Sequence, residues 1–194
     1  MKIKQILATL LLILFFGIMN AQTVNVKKLP ASVDEFLKLR NEIATSPEGG
    51  ATMFLIAMKI YVNNPELGKK SFVIAADRGA LYEGDTYKGF SLRKSDLQLI
   101  ELQLKKNNKI PDSYIKGSSP DNGYKADEPF EYEFKSNPYS GDPEKGVYKI
   151  FVYCSGADSA RPITLKKNSK GLWKASSWSS VLVGIKKEPI DDDL

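Results

Sequence analysis

Serine and lysine stand three residues apart twice in this chain, at Ser91/Lys94 and Ser113/Lys116. That spacing lets a lysine activate a serine nucleophile in acyl-transfer enzymes. With 17 serines and 24 lysines among 194 residues, roughly two such pairs arise by chance. Neither the Lys-Thr-Gly nor the Ser-Asp-Asn element of that machinery accompanies them. Glu131 and Glu133 are a second candidate. On one face of a strand their Cβ atoms stand about 7 Å apart, close to the span of a glycosidase carboxylate pair. They also alternate with Phe130, Tyr132 and Phe134, as the solvated face of any half-buried strand does, and catalytic carboxylates usually come from different elements. Asp121-Asn122-Gly123 and Gly141-Asp142 carry the residue types of a calcium loop. Counted as such a loop, however, they place Pro120, Pro129 and Pro138 where oxygen ligands are needed, so they read as turns.

The chain has no histidine. That excludes Ser-His-Asp and Cys-His nucleophilic catalysis and histidine-ligated zinc or iron, and it leaves only hard cations held by oxygen. No cofactor and no metal is expected. Cys154 is the one cysteine, so an internal disulfide is impossible, and its place on the apolar face of a strand reads as a small buried hydrophobe. Glu48-Gly49-Gly50 opens a helix, where backbone N–H groups can hold an anion, but Glu48 already supplies negative charge and the glycines read as a site of close backbone packing.

Four residues remain as candidates for ligand binding. Asp158 and Arg161 lie in the link Ser155–Pro162. Either Asp158 pairs with Arg161, or Arg161 offers its fork to a carboxylate or sulfate at the rim of a sheet. Trp173 and Trp178 are five apart and so face opposite sides of a regular strand; Trp178 is taken as the outer one, a stacking platform for sugar or peptide. Tyr139 sits in the turn-forming Asn137–Pro143. No catalytic residue is assigned.

The elements that must position these residues are legible in part. Ser32-Val33-Asp34-Glu35 is a capping box before an amphipathic helix. Ser46-Pro47 opens a second helix, apolar nearly all round from Ala51 to Val62 and therefore central to the core. Pro65–Ala76 fits a third helix, although Ser71–Ala76 also fits a strand, and Gly79–Gly89 reads as a loop. Ser95–Lys106 is a further helix. Residues 111–129, with three prolines and two glycines, read as a long ordered loop. The period then becomes two, giving strands at Phe130–Lys135 and Val147–Cys154, a hairpin of Pro162–Lys167 with Leu172–Trp178, and a last strand at Val181–Ile185. Residues 22–31 are an extended lead-in, and 188–194 a disordered acidic tail. Helices first and an antiparallel meander after them predict an α+β fold over residues 22–187, with the helices on one face of a curved sheet.

Ahead of this lies an export signal. Lys2 and Lys4 precede an apolar stretch from Ile6 to Ile18, too short to span a bilayer and typical of a signal peptide; the cut is placed between Ala21 and Gln22. The protein is then exported, periplasmic or extracellular, with no membrane span after cleavage. Without Lys2 and Lys4 the 28 basic residues fall to 26 against 23 acidic ones. Only four are arginines and the lysines are scattered as pairs, which is not the footprint of a nucleic-acid protein.

The segment from Ile163 to Lys167 with Gly171-Leu172-Trp173-Lys174 resembles the closing hairpin of cone-shaped NTF2-like or cystatin-like exported domains, which implies a curved sheet around a pocket. Leu29–Phe36, Ser46–Ala51, Asn137–Pro143, Cys154–Asp158 and Gly171–Ser180 together resemble a family of uncharacterised exported bacterial proteins, Bacteroidetes-like in their signal, that carries a domain of unknown function. That resemblance implies no activity. The expectation is a non-enzymatic binding or accessory domain for a small molecule, peptide, glycan or protein, with a carboxylate-based hydrolase, for example on glycans, as the alternative. Facing carboxylates from different elements in a cleft favour the enzyme; an aromatic-lined pocket favours binding.

Overall fold

A computed structural model of the chain describes residues 22–190; the proposed signal at residues 1–21 and residues 191–194 of the tail lie outside them. The fold is α+β. Helix α1 spans Val33–Ile43 and α2 spans Pro47–Asn63; α3 runs over Pro65–Ala75 and α4 over Lys94–Lys106. Strand β1 is Gln22–Val26, β2 Leu81–Tyr87, β3 Phe90–Leu92 and β4 Phe130–Lys135. A two-residue β5 (Gly141–Asp142), β6 (Val147–Val152), β7 (Arg161–Lys167) and β8 (Trp173–Ser177) follow.

The helix starts are built as their sequences require. The Ser32 hydroxyl accepts from the Glu35 N–H and the Ser46 hydroxyl from Gly49 N–H, each satisfying a donor that the first turn leaves without a partner. Pro47 and Pro65 occupy the first turn, where no N–H is missed. The ambiguous Ser71–Ala76 resolves as helix: the Ser71 hydroxyl donates back to Leu67 O at 2.9 Å, continuing the turn.

The main sheet is open and antiparallel, in the order β1-β4-β6-β7-β8, with β5 beside the start of β6. Both β4 and β5 use the same edge of β6, β5 at Val147–Tyr148 and β4 at Phe151–Val152. The extended lead-in is thus a true strand, pairing Gln22 with Phe134 through Val26 with Phe130. Gly79–Gly89, expected as loop, contains most of a small hairpin, β2–β3. Lys88 and Gly89 both have positive φ, the two-residue turn that suits a twisted hairpin. Val181–Ile185 makes no strand either: a 3-10 turn at Ser179–Leu182 leads into an unpaired strap over residues 183–187.

Helix α2 lies on the inner face of the sheet, and Met53, Phe54, Leu55, Ile56, Met58 and Ile60 are all buried there. Each such side chain contributes about 1.5–3 kcal/mol on burial. From the sheet, Phe130, Tyr132, Phe134, Ile150, Val152, Ile163 and Leu165 complete one core with them. The expected close packing at Gly49-Gly50 is present. A Cβ on Gly49 would collide with Ile43 O, and one on Gly50 would lie 2.7 Å from Trp173 Cβ, because Trp173 N donates to Ala44 O at 2.8 Å and brings β8 against the start of α2. With the inner face filled, the outer face of β4 and β6 is the one left for a site.

Candidate functional site

On that outer face, alternation places Glu131, Glu133 and Lys135 of β4 beside Lys149, Phe151 and Tyr153 at the end of β6. Lys135 is directly opposite Phe151, and Tyr153 N donates to Glu133 O at 2.9 Å. The link Ala157–Ala160 rises beside them. Together they line an open cleft of about 270 Å³, with Phe151 and Tyr153 as its aromatic wall, Glu133, Lys135, Asp158 and Ser159 at its rim, and the inward-facing Phe134 and Cys154 also bordering it. Two broader hollows, 480 Å³ beside Tyr61 and Lys105 and 370 Å³ beside Lys27, Lys38 and Glu42, are edged by long flexible side chains. Neither combines an aromatic wall with convergent polar groups as ligand sites do.

The rim is electrically balanced. Lys116 Nζ bridges Glu131 Oε1 at 2.6 Å and Glu133 Oε1 at 2.9 Å, and those bonds hold its pKa well above the ordinary lysine range. Lys186 Nζ meets Asp158 Oδ1 at 2.6 Å; that hydrogen bond keeps the Asp158 carboxyl below its usual value and raises the lysine. The inward-facing border is inert. Cys154 is 1% exposed and its Sγ lies 3.3 Å from Ser113 Oγ, which also bonds Ile110 O at 2.7 Å. Ser113 therefore points inward while Lys116 points out to the carboxylates. In the other pair, Ser91 Oγ is committed to Thr86 Oγ1 at 2.7 Å. Neither Ser-x-x-Lys spacing forms a nucleophile.

A strap behind the cleft fixes the link. Arg161 Nη1 donates to Val183 O at 2.6 Å and to the Tyr114 hydroxyl at 3.1 Å, and Nη2 donates to Gly184 O at 2.7 Å. The Tyr124 hydroxyl donates to Lys186 O at 2.6 Å, and Lys186 N to Gly156 O at 2.9 Å. Residues 183–186 are thereby tied to the start of the link that carries Asp158.

A family model described as a domain of unknown function (DUF6935) matches residues 28–189. The chain belongs to that family. No curated protein and no solved structure was found to match it.

Of the four residues expected to bind ligand, the DUF6935 chain brings only Asp158 to the cleft. Its partner is Lys186, not Arg161. Arg161 is buried and spends its guanidinium on backbone carbonyls, so it offers no fork at the rim. Trp178 is 4% exposed, its ring 4.7 Å from that of Phe54, so it is core and not a platform. Strand parity does not reach it, because β8 ends at Ser177 and Trp178 turns off at φ −144°, ψ 5°. Tyr139 is 83% exposed on the turn before β5 and does not line the cleft. The aromatics that line the cleft and that the sequence reading did not single out are Phe151 and Tyr153. Their signal was present: once Tyr148, Ile150, Val152 and Cys154 face inward, the outward positions of the same strand hold two aromatics in succession. Among the described residues no group of three or more acidic or cysteine side chains is placed to hold a metal ion, and no helix is long and apolar enough to cross a membrane.

Proposed function

We propose that this protein is an exported binding domain whose ligand occupies the cleft between β4, β6 and the link 157–160, and that it holds the ligand without chemical conversion. The observation that carries this reading is the combination of an aromatic wall with carboxylates that are each already held by a lysine. The hydrolase alternative rests on Glu133 and Asp158 lining one cleft from different elements. Glycoside hydrolysis needs one carboxyl kept protonated as general acid. Asp158 is pushed the other way by Lys186, and Glu133 is bonded to Lys116. Export is supported by the positive start and apolar run before Ala21.

The cleft is tested by 15N–1H spectra of the protein against a set of single-ring fragments: phenols, cyclic amines and cyclic diols. Shifts confined to residues 133–135 and 151–160 are expected, as is the absence of any product when p-nitrophenyl glycosides are incubated with the protein. Fragment shifts scattered elsewhere, or turnover abolished by Asp158→Asn, would sink the reading. Export is checked on the secreted protein by intact mass, which should lack Met1 to Ala21.

A further inference from the structure

The chemistry of the cleft narrows what it can hold, given that it is the ligand site. Its wall is a strip one ring wide. Phe151 is on β6 and Tyr153 one residue past its end, where the buried Val152 and Cys154 and the bond from Tyr153 N to Glu133 O continue the alternation; both therefore face outward, about 7 Å apart, and Pro162 stands directly opposite Phe151 on β7 and extends the strip. Tyr153 is half exposed, so a flat face is open for stacking. Its volume of about 270 Å³ gives room for one substituted ring.

The rim then selects among rings. Among the charged residues that line the cleft and their ion-pair partners, Glu131, Glu133 and Asp158 are matched by Lys116, Lys186 and Lys135, three charges of each sign, with Lys149 outside the lining, so neither a cation nor an anion gains much net attraction. A cation would meet carboxylates whose charge is already neutralised by lysines at 2.6–2.9 Å. A plain apolar ring would cover the rim carboxylates without giving them hydrogen bonds, which costs free energy. Glu133 uses Oε1 and Asp158 uses Oδ1 for their lysines, and among the described residues the second oxygen of each carries no hydrogen bond. Lys135 makes no ion pair among the described residues either, and is placed to donate. The site thus presents the part-buried Glu133 as an acceptor, the solvent-exposed Asp158 at its outer edge as a second, and Lys135 as a donor around an aromatic face. A ligand that answers all of this is uncharged, one ring in size, apolar on its flat face and rich in hydroxyls at its edge.

We infer that the cleft binds a neutral sugar ring, free or as one unit of a glycan, stacked on Tyr153 and Phe151 with its hydroxyls donating to Glu133 and Asp158. This rests on the cleft being the ligand site, and the test separates the two. The 15N-labelled protein is titrated with methyl β-glucoside, N-acetylglucosamine, cellobiose, glucuronate, arginine methyl ester and p-cresol. At least one of the three neutral sugars is expected to shift residues 133–135 and 151–160, with affinity changing less than about twofold between 50 and 500 mM NaCl, since no net charge is neutralised. Tyr153→Ala removes half-exposed surface and should weaken binding about tenfold, near the upper end of what one aromatic contact supplies. Phe151→Leu keeps apolar bulk, loses the ring face and should weaken binding in the same direction, with an unchanged spectrum elsewhere showing that the fold is intact. Sugar shifts that survive both substitutions overturn the inference. Binding of only glucuronate, the arginine ester or p-cresol at the cleft also overturns it and leaves the cleft as the ligand site. No shift at the cleft with any of these, nor with the single-ring fragments, sinks both.

Discussion

Tyr132 is fully buried, and its hydroxyl has no hydrogen-bond partner among the described residues, although the partly buried Lys59–Asp112 ion pair lies near enough for Asp112 to act on it. Burial, with the negative charge of Asp112 behind it, raises its pKa, so the phenol stays neutral. A buried polar group left unpaired costs about 1–3 kcal/mol. Tyr132→Phe keeps the ring and removes only that oxygen, and is expected to stabilise the protein by about 1 kcal/mol in urea unfolding at neutral pH. A loss of stability would show that the hydroxyl has a partner, such as an enclosed water. The burial of Tyr132 was legible from strand parity, while the unpaired oxygen was not. Arg161 is the converse, a residue whose type misled. It drew attention because arginine is scarce here, but a guanidinium has five donors in a fixed fork, and backbone carbonyls of a nearby strap satisfy it as well as any ligand. Nothing in the sequence shows that residues 183–184 return to position 161, since that contact spans 22 and 23 residues, across the β7–β8 hairpin and the 3-10 turn, and is made by a strap with no regular structure of its own.

At the scale of elements, one capping box, proline positions and apolar periodicity placed α1, α2 and α4, and period-two alternation placed β4, β6 and the β7–β8 hairpin. What escaped were elements whose existence depends on a distant partner. β1 is a strand because β4 lies beside it, and β2–β3 forms across a turn hidden by Gly84 and Gly89, which read as loop punctuation. Register shifts fall between Glu83 and Tyr87 in that hairpin and between Thr164 and Leu165 in β7–β8; each breaks strict alternation, and the second lies in the hairpin that ends just ahead of the misjudged Trp178. The start of α2 carries a sharp expectation, because two effects there oppose each other. Intrinsic propensity favours alanine over glycine in a helix by about 1 kcal/mol, so Gly50→Ala would stabilise an isolated helix. Here the new methyl would meet both Cβ and O of Trp173 at 2.7 Å, one of them backbone, and the connection into α2 is held to β8 by the Trp173–Ala44 hydrogen bond. Overpacking costs about 1–3 kcal/mol. Gly50→Ala is therefore expected to lower the unfolding free energy by on the order of 2 kcal/mol net, with the near-ultraviolet signal of Trp173 altered. An unchanged midpoint would mean that β8 moves freely away from α2.

The whole molecule is held by one core without a disulfide, and its stability should carry a pH signature of one lysine in an unusual place. Lys174 is 9% exposed, its ammonium bonded to Ile74 O at the carboxyl end of α3. Burial first, then the positive charge of Arg40, pushes its pKa down to about 8, with Asp77 acting in the opposite sense. Lys166, its neighbour across the β7–β8 pair, shares Asp77 at 3.9 Å and leaves that carboxylate only partly available. In the unfolded chain the amine returns to an ordinary value near 10.5. Between about pH 8 and 10.5 the unfolded state therefore binds more protons than the folded one, and stability rises with pH across that window. Four tyrosines act against this at its upper end. Tyr61, Tyr114, Tyr124 and Tyr132 are all raised in the fold, chiefly by burial, so once an unfolded tyrosine begins to ionise near about pH 10 the unfolded state is favoured again. The expected profile climbs from about pH 7.5 to a maximum close to about pH 10 and then falls, with an amplitude on the order of 2 kcal/mol, since each pH unit between the folded and unfolded pKa is worth about 1.4 kcal/mol and the tyrosines cut the rise short. Lys174→Met keeps the length of the side chain and removes the titration. Its profile should be flat from about pH 7.5 to 9.5 and should still fall above about pH 10, because the tyrosines are untouched. Urea unfolding of both proteins at half-unit steps of pH reads the difference. A wild-type profile without the rise, or a Lys174→Met profile that keeps it, would place the titrating group elsewhere.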